Sequence, residues 1–132
     1  MKIAYLCILL ACLLPIVCAG IAKSGTFGRP RSQGGYDNHD PRAWLARQEG
    51  RRARANAAQA NSFEALPIFI AGVWAAQSSG VAASTVSALA AAFVALRVLY
   101  IALYVTDRAT ARSIVWLLAT GVCIALFVLA LL

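Results

Sequence analysis

Val81-Ala-Ala-Ser-Thr-Val-Ser-Ala-Leu-Ala-Ala-Ala-Phe-Val-Ala-Leu-Arg97-Val-Leu-Tyr100-Ile-Ala-Leu-Tyr104-Val105 is a run of 25 residues in which Arg97 is the one charge. About 20 apolar residues suffice to cross the hydrocarbon of a bilayer, so the run is long enough for a transmembrane helix. An ionised guanidinium inside such a helix costs several kcal/mol or more. A chain that keeps the charge there supplies a partner or a ligand for it. The chemistry of this protein is therefore expected near Arg97.

On either side lie other runs of span length, Ile3–Ala22, Ser62–Ser79 and Ser113–Leu132. The chain has 132 residues, 61% of them hydrophobic and 13% charged, and a mean hydropathy of +0.74. Soluble domains are nearer 45–50% apolar and about 25% charged. No segment alternates with the period of two that a membrane β-barrel needs over about ten residues. The reading is an all-α integral membrane protein, one domain over residues 1–132, built as a four-transmembrane-helix bundle.

A net charge of +7 in a soluble protein would suggest nucleic acid. Its placement argues for a bilayer and against a nucleic acid. Lys23, Arg29, Arg31, Arg42, Arg47, Arg51, Arg52 and Arg54 lie between the first two spans, and Arg108 and Arg112 between the last two. Gln77-Ser-Ser-Gly80 and the C-terminus carry no basic side chain. The positive-inside rule then puts both basic loops in the cytoplasm and both termini outside a cell or inner membrane, with Lys2 opposing. Contact with anionic headgroups is the simplest role for the first basic loop. Met1-Lys2 before an apolar run resembles a signal peptide, but Ile3–Ala22 is longer than the usual h-region of about 7–15 residues. It is read as an uncleaved first span. Cys7, Cys12, Cys18 and Cys123 fall inside spans, where they pack as small apolar residues, and no metal site is expected.

Asp40-Pro41 is a helix start, an aspartate suited to the N-cap followed by proline at the first helical position. The Ala- and Arg-rich stretch after it runs without a stop into Ser62–Gln77. One helix of about 35 residues, roughly 50 Å long, is expected, its first half extended into the cytoplasm as part of a loop and helix extension over 23–61. Gly50 and Pro67 would soften or kink it. Ser78-Ser79-Gly80 reads as a tight turn that makes spans two and three antiparallel neighbours. Ala83, Ser87, Ala91 and Ala95, at intervals of four, read as a close helix-packing stripe.

Polar residues recur at one level of this bundle. Asn61 and Glu64 share a face at the mouth of the second span. Arg97, Tyr100 and Tyr104 form a stripe on the third, with Arg97 roughly 13 Å inside its end. Arg108, Arg112 and Ser113 open the fourth. The antiparallel arrangement lets all of these converge. A direct Glu64–Arg97 ion pair is expected, since each would otherwise be uncompensated. The excess of positive charge suits a small anionic ligand, because arginine grips a carboxylate with two parallel N–H groups.

Asn61-x-x-Glu64 followed by Pro67-x-Phe69, Arg97 with Tyr104, and Arg112-Ser113 together resemble the motifs of the MAPEG family, the membrane-associated proteins of eicosanoid and glutathione metabolism. The resemblance implies a homotrimer holding glutathione as its cofactor. Arg54, Asn61, Glu64, Arg97, Tyr100, Tyr104 and Arg108 would be its binding residues, and Arg112 and Ser113 would act at the thiolate. Family enzymes usually carry more arginine and a histidine where this chain has Ala57-Ala58-Gln59-Ala60, and Trp116 replaces a tyrosine of the prostaglandin synthase. The expected activity is that of a glutathione-dependent transferase or peroxidase acting on a lipophilic small-molecule electrophile. A non-catalytic lipid- or partner-binding protein of the same fold is the alternative. A small proton-coupled exporter fits less well, because its essential carboxylate would sit in the first span, which is free of acids.

Overall fold

The computed structural model describes residues 2–132. Its α-helices are α1 (Lys2–Lys23), α2 (Pro41–Ala46), α3 (Gly50–Ser78), α4 (Ala83–Val105) and α5 (Ala109–Leu131), with a short 3-10 turn at Arg31–Gln33. The described residues contain no strand. Helices α1, α4 and α5 are each long and apolar enough to cross a membrane. The apolar part of α3 is shorter, bounded by Glu64 and Gln77, because the helix also takes in the polar stretch Gly50–Asn61.

The long helices form an antiparallel bundle. Helix α3 touches α1, α4 and α5, and α1 and α5 occupy opposite corners. Between α3 and α4 the chain reverses at Ser79-Gly80. Gly80 adopts φ +83°, and the Val81 N–H returns to the Ala76 carbonyl at 3.1 Å, closing the end of α3. The expected tight turn is thus present. In the half of the bundle nearest this turn the core holds Phe69, Val73, Val86, Phe93 and Leu126 among alanines and cysteines, with the Phe69 and Phe93 rings stacked at 3.9 Å between centroids. Gly72 lets α5 approach: a Cβ there would lie 3.3 Å from the Leu126 Cβ. Leu6, Ile16, Leu117 and Ile124 point outward, as suits a surface facing lipid tails.

The small-residue stripe on α4 does not pack within the chain. Ala83, Ala91 and Ala95 are exposed, and the buried face is Val86, Ala90, Phe93, Arg97 and Tyr100. The larger side chains and the arginine decide which way α4 turns. Intrachain close packing comes instead from Ala55, Ala58, Gly72 and Ala76 on α3.

The expected single helix from Pro41 to Gln77 is two helices. Asp40 caps α2, its carboxylate accepting from the Ala43 N–H at 3.2 Å, with Pro41 at the first helical position. But α2 ends at Ala46, and Gly50 takes φ +57°. That left-handed conformation is open to glycine at no steric cost, and it redirects the chain where a softened but continuous helix was expected. Pro67 lies on the exposed side of α3, which runs through it. Helix α3 also starts near the level at which its neighbours end. The Arg52 guanidinium donates to the Ser24 carbonyl just past α1, and the Arg54 Nε donates to the Val105 carbonyl at the end of α4. From Arg54 onward α3 therefore runs beside the other helices.

Residues 24–49 fold back as a cap over this basic end. Tyr36 is its hub, edge-on to Trp44 at 5.2 Å and to Phe27 at 5.8 Å. Trp44 is buried and Leu45 packs on the cluster of Cys18, Ala22, Ala55 and Ala58. Thr26 is buried, its hydroxyl donating to the Lys23 carbonyl. Gly35 is required: a Cβ there would sit 1.9 Å from the Arg29 carbonyl oxygen. Since backbone atoms cannot step aside, Gly35→Ala should open the cap. Trypsin is expected to cut the variant between residues 29 and 47 about tenfold faster than the wild type, because local opening governs such cleavage.

Candidate functional site

Arg97 sits on the buried face of α4 and is 2% exposed. Its Nη1 donates to the Asn61 Oδ1 at 3.0 Å and its Nη2 to the Ser62 Oγ at 3.1 Å. Asn61 in turn donates from Nδ2 to the Glu64 Oε2 at 3.2 Å. The expected direct Glu64–Arg97 ion pair is not formed; among the described residues the ion pairs are Arg31–Asp37 and Arg54–Asp107. Glu64 stands nearly one helical turn from Asn61 and two residues from Ser62, on the other side of the helix, and it stays exposed while the amide of Asn61 relays between carboxylate and guanidinium. Arg97 is thus hydrogen-bonded but not neutralised. Such a buried, uncompensated cation is costly unless a ligand or a partner chain completes it.

Ser62 carries no mark of this role in the sequence. It accepts from Arg97 while its hydroxyl donates to the Ala58 carbonyl at 2.8 Å. In the sequence it stands on the same stripe as Ala55, Ala58 and Phe69, where a serine reads as a small packing residue. Ser62→Ala removes one of two side-chain acceptors from a buried charge. We expect it to cost about 1–3 kcal/mol in reversible unfolding in mixed micelles, far more than an exposed Ser→Ala change. Exposed Glu64, by contrast, should tolerate alanine with little loss.

A ladder of rings and guanidinium groups leads from Arg97 towards the basic end. The Arg97 guanidinium carbon lies 4.2 Å from the Tyr100 ring centroid, Tyr100 meets Tyr104 edge-on at 5.6 Å, and the Arg112 guanidinium carbon lies 4.2 Å from the Tyr104 centroid. The stacking holds each cation against a ring face, a favourable contact where water is scarce. Arg112 comes from the first turn of α5, next to Ser113, whose hydroxyl donates to the Ala109 carbonyl. Arg54 reaches the α4–α5 turn, where Asp107, at φ +63°, faces its guanidinium at 3.6 Å.

Three cavities follow one another along this ladder. One of about 150 Å³ lies between α3, α4 and α5, with Asn61, Glu64 and Arg97 at its polar side and Phe93, Ile68 and Trp116 at its apolar side. The next, about 220 Å³, is lined by Asn61, Tyr100, Arg112, Ser113 and Trp116. The last, about 180 Å³, is lined by Arg54, Tyr104, Asp107, Arg108 and Arg112 among others. Every site residue expected from the sequence therefore lines one of these three cavities, with Asn61, Trp116 and Arg112 shared between neighbouring ones. Cys123, read only as packing, also lines the first cavity. The Gln59 Oε1, at the position where the family's histidine would stand, is buried without a hydrogen-bond partner. No group of metal-ligating side chains forms among the described residues.

Compared with known protein families, residues 3–132 match the model of the MAPEG family. The chain belongs to the MAPEG family. Membership makes it a membrane protein of the glutathione and eicosanoid metabolism family and accounts for a bundle of membrane helices. No curated protein and no solved structure matches it. What this MAPEG chain adds to that membership is its geometry: a deep uncompensated arginine joined by stacked tyrosines to a second arginine at the groove mouth.

Proposed function

We propose that the protein is a glutathione-dependent transferase or peroxidase that acts on lipophilic electrophiles entering from the bilayer. The observation that carries the reading is Arg97, buried, held by Asn61 and Ser62, and facing no carboxylate within ion-pair distance among the described residues. The groove fits the tripeptide in its donor set. Arg97, with Arg54 and Arg108 nearer the mouth, offers guanidinium groups to two carboxylates, and the free oxygen of Glu64 offers an acceptor to an ammonium. Tyr100 and Tyr104 brace the cations from below. Glutathione supplies the sulfur nucleophile when bound.

Arg112 acts at the sulfur, with Ser113 beside it. A guanidinium near a thiol favours the thiolate and makes the nucleophile available at neutral pH. The Phe93, Ile68 and Trp116 walls take an apolar acceptor. About 150 Å³ is the size of cavity that holds one benzene ring. We place the chain in a homotrimer whose neighbouring copies cover the exposed α3 side chains Phe63 (54% exposed) and Trp74 (70% exposed). Helix α3 would be the fourth crossing of one domain over residues 1–132, since from Arg54 onward it lies alongside the others. Both termini would then stand outside the cytoplasm, with the uncleaved α1 as the first span.

Equilibrium binding of glutathione to detergent-purified protein tests this. Wild type should bind, and Arg97→Ala should weaken binding about ten- to a hundredfold, the range for one charged hydrogen-bonded group. Binding that ignores Arg97→Ala would remove the assignment. A second reading, a non-catalytic lipid- or partner-binding protein of the same fold, is favoured by Ala57, Ala60 and the unpartnered Gln59 oxygen at positions where family enzymes place charged or imidazole side chains. Co-purifying lipid with no thiol conjugation to a chlorinated aromatic acceptor would select it.

A further inference from the structure

The basic segment between α1 and α3 is an ordered structure with its own core, and its outer face carries charge that nothing in the bundle uses. Phe27, four residues past the end of α1, is 66% exposed. It packs edge-on against Tyr36, and the Lys23 ammonium lies 4.4 Å from the centroid of the same Tyr36 ring. Arg29 and Arg31 follow within one turn, both exposed. Arg31 faces Asp37 at 3.5 Å, and Arg29 has no ion-pair partner among the described residues. The Asp37 carboxylate also accepts from the His39 N–H, which, with the nearby Arg31, holds its pKa below the ordinary carboxylate value. The cluster is therefore three cations and an exposed aromatic ring around Tyr36, offset by one carboxylate.

Its position is set by the end of α1. A helix that crosses the bilayer and stops at Lys23 leaves Phe27 at the level where acyl chains give way to headgroups. An aromatic ring is at home at that level. Cations just beyond it meet the phosphates, each gaining roughly the attraction expected for a basic residue near an anionic surface. Preorganisation distinguishes this face from a flexible basic tail. Buried Thr26, the Gly35 backbone crossing and the Tyr36–Trp44 contact order the backbone that carries these cations before any lipid arrives.

We propose that Lys23, Phe27, Arg29 and Arg31 form a seat for the phosphate headgroup of an anionic phospholipid in the surrounding membrane, Phe27 packing beside its acyl chains. The proposal rests on α1 crossing the membrane and does not depend on glutathione chemistry. It is separate from the groove lined by Arg54, Arg108 and Arg112.

The test is lipid retention by the delipidated full-length protein in detergent, read by native mass spectrometry with equal amounts of phosphatidylglycerol and phosphatidylcholine. We expect several-fold preferential retention of phosphatidylglycerol. Arg29→Gln alone should halve the preference, Arg29→Gln with Arg31→Gln should bring it near one, and Arg108→Gln should leave it intact. Equal retention of the two lipids by the wild type overturns the proposal. So does a preference that survives the double variant, or one that Arg108→Gln removes, which would place the lipid in the groove. Displacement by an equal concentration of glycerol phosphate would mean a site for a soluble anion and would also overturn it. Glutathione binding measured on the same variants separates this outcome from failure of the functional reading.

Discussion

Phe69→Ala is expected to cost the bundle about 2.5 kcal/mol, from roughly 100 Å³ of lost ring at about 24 cal/mol per Å³ of cavity. In a soluble protein the loss would be larger, because water would also reclaim less apolar surface. Here the separated helices face lipid tails, which are as apolar as the core, so the packing part of the loss dominates. Phe69 is fully buried and stacked on Phe93, bringing α3 against α4 just below the cavity under Arg97. Its neighbour Ile68 is 54% exposed and makes a control, since Ile68→Ala should cost well under half as much. Reversible unfolding by titrated sodium dodecyl sulfate in mixed micelles measures both. A Phe69→Ala cost no greater than that of Ile68→Ala would mean that the ring stack does not hold this half of the bundle.

Arg112→Ala should lower conjugation turnover about a hundredfold, the low end of the range for removing a preorganised group that stabilises developing negative charge. The low end applies because Arg112 is only partly buried at the groove mouth. The fold should survive: Arg112 contacts Tyr104 by stacking, and neither Tyr104 nor Ser113 depends on it for a hydrogen bond. The pH profile carries the diagnosis. A nearby cation favours the thiolate, so it lowers the thiol pKa, and its removal lets that pKa rise towards about 8.5. Activity of the variant should therefore recover as pH rises from 7 to 9, while that of the wild type stays nearly flat. A fall in turnover without recovery at high pH would assign Arg112 to binding or positioning.

Much of the bundle is legible in the chain because a membrane allows few solutions. Backbone groups in hydrocarbon must be paired within a helix, so long apolar runs map onto helices within a turn of their ends. Ile3–Ala22 became Lys2–Lys23, and Val81–Val105 became Ala83–Val105. Local chemistry was equally readable at Asp40-Pro41 and at Ser79-Gly80, where a cap and a left-handed glycine act within a few residues. Gly50 shows the limit. A glycine inside a run of helix formers is compatible with continuing or breaking the helix. The packing of Leu45 onto α1 and α3, and of Trp44 against Tyr36, accompanies the break.

By itself the sequence determined the helical membrane class, the antiparallel pairing of α3 with α4, and the gathering of Asn61, Glu64, Arg97, Tyr104 and Arg112 at one end. Spacing along a helix and the length of a run are enough for these. Only the tertiary structure decided that Arg97 is met by Asn61 and Ser62 and not by Glu64, that the small-residue stripe on α4 turns outward, and that the basic loop is an ordered cap. The first two depend on the rotation of one helix about its axis against another, and the third on Tyr36, Trp44 and Gly35 meeting across the loop. That rotation is fixed by how large side chains and backbone fit across the interface, a property of residues far apart in the chain.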